Sequence, residues 1–334
     1  MKTILITGAG GYIGSVAASL LLEKDYKVVA IDNFSTGYKE PLNLLMQKYG
    51  KEKLKIYNVD LKGFFSHVFR ENQIDAVLHY AASCSVNESM ERPEKYFTNN
   101  SLATQRLLHT MLDAKIDKIV FSSTCAVYGE AEYVPIDENH PTMPANPYGE
   151  SKLVSETFLR WYSTLGKLKY VALRYFNVCG ATDNGEIGDS KNPSVHLMQN
   201  AVRGALGTEP FYLTCGRFDT PDGTPIRDYV NVVDLNEAHI KALEYLFNGG
   251  SSEIINLGTG DGNSVMEIVQ QVEEITGKKI NVDQGPARAG EYAKMIASTK
   301  KAKEILGWVP GRTLKNSVES LVSWYTKHPH GWVV

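Results

Sequence analysis

The sequence of 334 residues lacks the features that mark membrane and secreted proteins. No apolar run approaches the roughly 18 residues of a membrane-spanning helix. The first apolar run, Ile4 to Ile6, gives way to glycine-rich sequence too soon for a signal peptide. We therefore expect a cytoplasmic protein that does not bind a membrane.

Cysteine and excess charge are also scarce. The four cysteines are widely spaced and form no CxxC pair, which favours buried or free thiols over a disulfide framework or a zinc site. The formal net charge of -3 gives no reason to expect a nucleic-acid partner. The sequence shows no internal repeat and predicts no metal site.

What the first half does contain is a regular alternation of short β-branched runs with helix-length segments. This alternation predicts βαβ units, and hence an α/β fold with a Rossmann-type, doubly wound parallel sheet. The predicted strands are 2–7, 27–32, 53–59, 76–80, 118–123 and 169–174.

After Asn177 the chain becomes polar and rich in turns, which indicates the passage into a second, smaller α/β domain. We place the first domain at 1–178, rejoined by part of 228–258, and the second at 179–334. Within 179–334 the patterns predict a strand at 253–257 and helices near 195–206, 233–246, 264–276 and 314–327.

A glycine-rich turn follows the first predicted strand and precedes a predicted helix. Gly8, Gly11 and Gly14 have the spacing that lets a backbone approach a pyrophosphate, and the helix start adds N–H donors. Asp32 ends the next strand, where it can accept hydrogen bonds from a ribose and would repel a 2′-phosphate. The pattern predicts NAD rather than NADP. Asp60, after the third strand, is either an adenine contact or a helix N-cap.

Tyr148 and Lys152 are four residues apart in a segment that Pro147 suits to be the start of a helix. On one helical face, the lysine would favour the phenolate and make Tyr148 a base. Alone, the spacing is typical of a surface pair. Here a hydroxyl-rich strand end, 121–124, precedes it, and ligands of open α/β sheets bind beyond such strand ends. We therefore predict catalysis by Tyr148, Lys152 and Thr124.

This combination resembles the extended branch of the short-chain dehydrogenase/reductase superfamily, which modifies nucleotide sugars. Motifs of that branch are TGxxGxxG, H-x-A-[AG], paired asparagines and LRYFN, at 7–14, 79–82, 99–100 and 173–177. Segments 221–230 and 288–291 are similar to its nucleotide-sugar-binding segments, and 328–332 resembles the tail of UDP-glucose 4-epimerases. These resemblances span essentially the whole chain and identify it as a member of the UDP-glucose 4-epimerase family.

The resemblance implies a reaction and a set of contacts. Tyr148 would take the proton of the sugar 4-hydroxyl while NAD accepts the C4 hydride, Thr124 would bind the same oxygen, and Lys152 would hold the nicotinamide ribose. NAD would be retained between turnovers. The implied NAD contacts, besides Tyr148 and Lys152, are Gly8, Gly11, Tyr12, Ile13, Gly14, Asp32, Asn33, Asp60, Leu61, Tyr80, Ala81, Ala82, Asn99, Ser122 and Phe176.

By the same resemblance, the second domain binds the UDP-sugar substrate and the protein is a homodimer. Arginines are expected at the pyrophosphate because they grip phosphate bidentately. The implied substrate contacts are Ser123, Thr124, Tyr148, Asn177, His196, Leu197, Tyr212, Thr214, Arg227, Tyr229, Arg288, Glu291 and Met295.

Several positions depart from relatives and bear on the reaction. Cys125 and Ala126 stand where sugar 4,6-dehydratases of this branch carry an Asp-Glu pair, so dehydration lacks its acid and base. Cys84 replaces a lysine and Thr214 an aromatic residue found in many members. Met295 stands at a position that separates plain hexoses from N-acetylated sugars. Epimerisation of UDP-N-acetylhexosamine, UDP-glucuronate or UDP-pentose stays open, as does a non-catalytic NAD-binding sensor.

Overall fold

The structure is a computed structural model that describes residues 1–191, 194–284 and 292–332. The strands in the described parts are β1 (Thr3–Thr7), β2 (Lys27–Asp32), β3 (Leu54–Asn58), β4 (Ala76–His79), β5 (Lys118–Ser122), β6 (Lys169–Tyr175), β7 (Asn177–Cys179), β8 (Phe211–Leu213), β9 (Ile226–Asn231), β10 (Glu253–Leu257), β11 (Gly262–Ser264), β12 (Val282–Gln284) and β13 (Lys294–Met295).

The helices of the same parts include two short ones that are not α-helical, a π-helix at Phe97–Leu102 and a 3₁₀ helix at Cys125–Val127. The α-helices are α1 (Tyr12–Glu23), α2 (Glu40–Tyr49), α3 (Ser66–Glu71), α4 (Val86–Glu91), α5 (Pro93–Tyr96), α6 (Ala103–Asp113), α7 (Pro147–Thr164), α8 (Leu197–Leu206), α9 (Val232–Phe247), α10 (Val265–Thr276), α11 (Lys300–Leu306) and α12 (Leu314–Lys327).

A seven-stranded parallel sheet in the order β3-β2-β1-β4-β5-β6-β10 confirms the predicted Rossmann-type fold. The strand order reverses between β1 and β4, where Thr7 pairs with both Ile31 and His79. In such sheets ligands bind at this reversal, beyond the carboxyl ends of the strands. The glycine turn follows β1 at this point, so the fold places it where a dinucleotide is expected.

The chain divides into two compact units. The first comprises residues 1–129, 141–174 and 236–255, and the second 130–140, 175–235 and 256–334. The assignment of NAD to one domain and of the nucleotide sugar to the other stays a prediction. No helix in the described ranges is long and apolar enough to cross a membrane.

The first unit is built on buried β-branched and leucine side chains of the sheet. Leu5, Val77 and Ile119 are fully buried and belong to one apolar cluster with residues of α6 such as Leu107. At roughly 25 cal/mol per Å² of apolar surface, this burial supplies the main stabilising free energy. The polar strand ends are thereby carried on a rigid base.

The second unit has its own core and smaller sheets. Its apolar cluster joins α8, α10 and α12, with Met198, Val269 and Trp324 among its buried members. β9 pairs with β7, β11 and β13. The predicted helix near 195 begins at Leu197, and the other three predicted helices agree with the structure to within one residue.

Candidate active site

In the glycine turn, two glycines allow close backbone packing and a third leaves space for a ligand. Gly8 has φ +70°, and a Cβ there would lie 2.6 Å from the Ala81 nitrogen. A Cβ on Gly14 would overlap the Gly8 carbonyl oxygen. Gly8 is therefore needed for the close approach of the turn to the backbone after β4, and Gly14 for close packing of α1 on the turn. A Cβ on Gly11 would meet only that oxygen, at 3.3 Å. Gly11, the N-cap of α1, thus leaves its solvent side open at the helix start, which fits a pyrophosphate.

Asp32 is held against this turn by backbone donors. Its Oδ2 accepts from the Gly10 N–H at 2.9 Å and its Oδ1 from the Phe34 N–H at 2.7 Å. Burial raises the pKa of Asp32 despite these hydrogen bonds. Each carboxylate oxygen keeps a further lone pair, which suits the hydroxyls of a ribose.

Asp60 does not cap a helix, so the N-cap alternative is excluded and the adenine contact stays a prediction. The next helix, α3, has Phe65 at its N-cap. Asp60 accepts from the Lys62 N–H at 2.8 Å and from the Asn33 amide at 3.1 Å. Burial opposes ionisation, but these donors and the Lys62 charge lower its pKa overall. Leu61 is buried in the apolar cluster of this unit.

His79, at the end of β4, carries a hydrogen-bond chain across the strand ends. Thr104 donates its only hydroxyl hydrogen to the Asn100 carbonyl, so it must accept from His79 Nε2, at 2.8 Å. His79 Nδ1 therefore accepts from Thr7 Oγ1, at 2.6 Å. Burial, together with the Lys152 charge, lowers the pKa of His79 to about 3. This neutral histidine fixes the backbone that leads into Tyr80, Ala81 and Ala82.

The predicted contact Asn99 and its neighbour Asn100 lie in the π-helix. Asn99 donates to the Ser83 hydroxyl at 3.1 Å. Asn100 is buried and satisfied on all sides, because it accepts from the Ser83 N–H at 2.8 Å and donates to the Ser83 carbonyl and to Ser151 Oγ. The pair therefore ties the loop after β4 to α7.

Two residues of α9 reach the same region, and sequence reasoning missed both. Asn236 accepts from the Tyr80 hydroxyl at 2.8 Å and donates to the Ile13 carbonyl at 3.2 Å. His239 Nε2 lies 2.8 Å from Ser122 Oγ. They are more than 100 positions from these partners in the chain, so no local pattern could have revealed them.

The start of α7 agrees with its prediction. Asn146 caps the helix by accepting from the Gly149 N–H at 2.9 Å, and Pro147 takes the first position. Tyr148 is 9% exposed. Its ring meets the Tyr96 ring edge-on, with 6.3 Å between the centroids. The phenol is thus held by packing near the end of β5.

Lys152 lies one turn further along α7 and is almost fully buried. Its Nζ donates to the Ser122 carbonyl at 2.8 Å. Burial lowers its pKa to about 8, against the opposing electrostatic effects of Cys84 and Glu156. Cys84, which departs from the family lysine, therefore lies within electrostatic reach of Lys152. Thr124 Oγ1 accepts from the Ala126 N–H at 3.1 Å, which leaves its hydrogen to donate.

A buried ion pair lies beside these groups. Glu156 accepts Arg174 Nε at 3.0 Å and Nη2 at 2.6 Å, and both side chains are 4% exposed. Burial disfavours the Arg174 charge, but Glu156 raises the Arg174 pKa above its ordinary value. Ser123, predicted to contact substrate, is fully buried and donates to Glu156. The four-residue spacing from Tyr148 through Lys152 to Glu156 could have identified Glu156.

The predicted substrate contacts that the second unit contains lie in several elements. Tyr229 and Arg227 are on β9, and in register Arg227 pairs with the buried Met295 of β13. His196 precedes α8, 4.0 Å from the buried Asp189, and burial lowers its pKa. The remaining predicted substrate contacts in this unit are Asn177, Leu197, Tyr212 and Thr214, and the unit also contains Phe176, which is predicted to contact NAD. Their roles stay predictions.

Arg288 and Glu291 lie outside the described residues. Within the described ranges, no cluster of three or more His, Cys, Asp or Glu could hold a metal ion.

A family model and a named relative each match nearly the whole chain. Residues 5–321 match the family model described as GDP-mannose 4,6 dehydratase. The chain is 42% identical to a UDP-glucose 4-epimerase of Lacticaseibacillus casei, over 99% of this chain and 98% of the relative.

Solved structures agree. A crystal structure of a UDP-glucose 4-epimerase shares 43% identity, with all of both chains covered and a TM-score of 0.93. Another, of the Bifidobacterium longum enzyme with NAD+ and UDP, shares 36% identity, covers 99% of this chain and 100% of that one, and has a TM-score of 0.94.

Proposed function

The chain belongs to the UDP-glucose 4-epimerase family within the extended short-chain dehydrogenases/reductases, and from that premise we propose that it interconverts UDP-glucose and UDP-galactose at C4 with retained NAD. The observation that carries the proposal is that Lys152, one turn after Tyr148 on α7, donates to the end of β5 two residues before Thr124, in a sheet whose first strand leads into a glycine turn with Gly11 left open. Dehydration is disfavoured because Cys125 and Ala126 supply no carboxylate.

NAD fits the first unit. Gly11 and the start of α1 would take its pyrophosphate, and Asp32 would accept from its adenine ribose. Bound NAD supplies a reversible hydride acceptor for C4 of the sugar. Lys152 has three hydrogens and donates one to Ser122, so the others can bind the nicotinamide ribose.

Proton movement falls to two side chains. The Tyr148 oxygen takes the proton from the sugar 4-hydroxyl and returns it after the keto sugar has rotated to present its opposite face. The positive charges of Lys152 and the nicotinamide ring favour the phenolate form of Tyr148. Thr124 donates its hydroxyl hydrogen to the same sugar oxygen. Contacts to the uridine diphosphate are proposed for Arg227, Tyr229 and His196, on their resemblance to family positions.

The proposal is tested with purified protein. It should carry one NAD per chain and convert UDP-galactose without added cofactor. Tyr148→Phe should lower kcat by at least about 10³-fold and leave NAD bound. Tyr162→Phe, on the same helix, is the matched control and should keep full activity. A requirement for external NADPH with net reduction of the sugar would refute epimerisation.

A second class of substrate, the UDP-N-acetylhexosamines, is proposed from the Met295 side chain. Met295 is buried on β13 at the position that separates sugar sizes in the family, and methionine is flexible enough to accept more than one shape. C4 inversion measured across UDP-glucose, UDP-N-acetylglucosamine, UDP-glucuronate and a UDP-pentose decides it. Met295→Tyr should abolish turnover of an N-acetylated sugar and spare UDP-galactose.

A homodimer is proposed from exposed apolar residues on neighbouring helices of the first unit. Met90 and Leu102 lie on α4 and the π-helix, which both contact α7, while Trp161 lies on α7 and Leu165 follows it; each of the four is more than half exposed. Light scattering should report a dimer that Leu102→Asp dissociates and Val309→Asp, an exposed site in the second unit, does not. A monomeric parent protein would contradict the proposal. A cytoplasmic location stays a prediction.

A further inference from the structure

Side chains of α7 form hydrogen bonds to two consecutive residues at the end of β5. Lys152 donates to the Ser122 carbonyl, and Glu156, one turn further on, accepts from the Ser123 hydroxyl. Thr124 is the next residue of the chain, and Tyr148 lies one turn before Lys152. These two hydrogen bonds therefore fix where the Thr124 hydroxyl lies relative to the Tyr148 phenol.

Glu156 is well suited to act as the fixed point. Arg174 binds both of its oxygens, and the Arg174 guanidinium lies over the Tyr128 ring, 4.9 Å from its centroid. Ser123 is held from the other side as well, because its N–H donates to the Leu173 carbonyl at 2.8 Å. A hydrogen bond to a charged group is among the strongest that a side chain makes. The serine has no freedom to move without breaking one of these bonds.

We propose that Ser123 and Glu156 are positioning residues, which act through Thr124 to set the geometry of proton transfer at the sugar 4-hydroxyl. The inference rests on the proposed epimerase function and assigns Ser123 a role different from substrate contact. A displacement of about 1 Å in a reacting group can cost about 10²-fold in rate. Loss of the Ser123–Glu156 bond thus lowers kcat and leaves substrate affinity unchanged.

The test is a set of double-mutant cycles in which kcat and KM are measured for Ser123→Ala alone and combined with Glu156→Gln or Thr124→Ala. Ser123→Ala and Glu156→Gln should each lower kcat by roughly 10-fold, with the KM for UDP-galactose changed by less than about 2-fold. The two changes together should cost no more than either alone. In the Thr124→Ala background, Ser123→Ala should have no further effect on residual turnover, because the hydroxyl it positions is gone.

Ser155→Ala is the matched control. Ser155 is also a buried serine of this unit, but it donates to the Ser151 carbonyl within α7. Its removal should leave kcat unchanged. This control separates loss of a buried hydroxyl in general from loss of the one that Glu156 binds.

Three outcomes would overturn the proposal. Equal losses from Ser123→Ala with and without Thr124 would show an effect independent of Thr124. A raised KM with unchanged kcat would make Ser123 a direct sugar contact. Full activity of Ser123→Ala would remove the role altogether, and this arm does not depend on the folding of Glu156→Gln. An inactive parent protein would instead refute the epimerase function itself.

Discussion

Two buried arginines, one in each unit, have nearly the same packing and opposite hydrogen bonding. Arg174 lies over the Tyr128 ring at 4.9 Å and Arg203 over the Tyr325 ring at 5.1 Å. Arg174 has its Nε and Nη2 on Glu156. Arg203 is 1% exposed, yet in the described structure its Nε and Nη2 have no hydrogen-bond partner, and only Nη1 approaches the Lys191 carbonyl, at 3.4 Å.

The contrast shows that burial alone does not say what a charge contributes. A buried pair is costly to break, because the remaining partner is left charged and desolvated. A buried donor without a partner is already a cost, and its removal relieves that cost. Gln199, one turn before Arg203 on α8, shares this state, since neither of its amide atoms has a partner in the described residues. Polar groups are therefore satisfied beside the proposed catalytic residues and left unsatisfied on α8.

The largest expected effect comes from breaking the satisfied pair. Glu156→Leu should lower the free energy of unfolding by about 3–5 kcal/mol, since Arg174 stays buried without its counter-ion. Urea denaturation, with an unchanged slope, measures it. The double variant Glu156→Leu/Arg174→Met should recover much of the loss. A single variant as stable as the parent would erase the difference between the two arginines.

Replacement of Lys152 should change the free energy of unfolding by an intermediate amount and, unlike Glu156→Leu, raise it. It is a buried cation with one described acceptor, and its folded pKa of about 8 lies below its ordinary value of 10.5. At about 1.4 kcal/mol per pKa unit the shift costs about 3.5 kcal/mol, and the lost hydrogen bond offsets about 1 kcal/mol of this. Lys152→Met should therefore be more stable by roughly 2.5 kcal/mol at pH 7. It should also be inactive.

The pH dependence checks the cause of that gain. Below about pH 8 the lysine is charged in both states, so the full penalty is present. Between pH 8 and 10.5 the unfolded chain binds more protons, so the parent gains stability as pH rises. The advantage of Lys152→Met should shrink over this window. A constant advantage would point to packing instead.

The smallest effect should come from Arg203. Arg203→Met should leave the protein as stable as the parent or more stable by about 1 kcal/mol, because lost ring contact is offset by removal of unpaired donors. Gln199→Met should behave alike, and epimerase activity should not change. A loss comparable to that of Glu156→Leu would mean that Arg203 has a partner of its own, and the contrast would fail.

Local sequence signals predicted much of the fold and part of the site. The buried strands and the start of α7 were predictable because hydrophobic runs, Asn146 and Pro147 act over a few residues. The Ser122–His239 contact was not, because it joins positions 117 residues apart. The pairing of Glu156 with Arg174 depends on the neighbouring placement of α7 and β6, which no spacing along the chain encodes.

The π-helix at Phe97–Leu102 constrains the length of the chain in this segment. Its backbone bonds span one residue more than those of an α-helix, so a single deletion would turn it into regular α-helix and rotate everything before it against α6. Asn99 and Asn100 would then no longer both face Ser83. A substitution here changes the contacts of one side chain, whereas a change in the number of residues would shift every contact of the segment. Heritable variation in this segment should therefore consist of substitutions and contain almost no single-codon gaps.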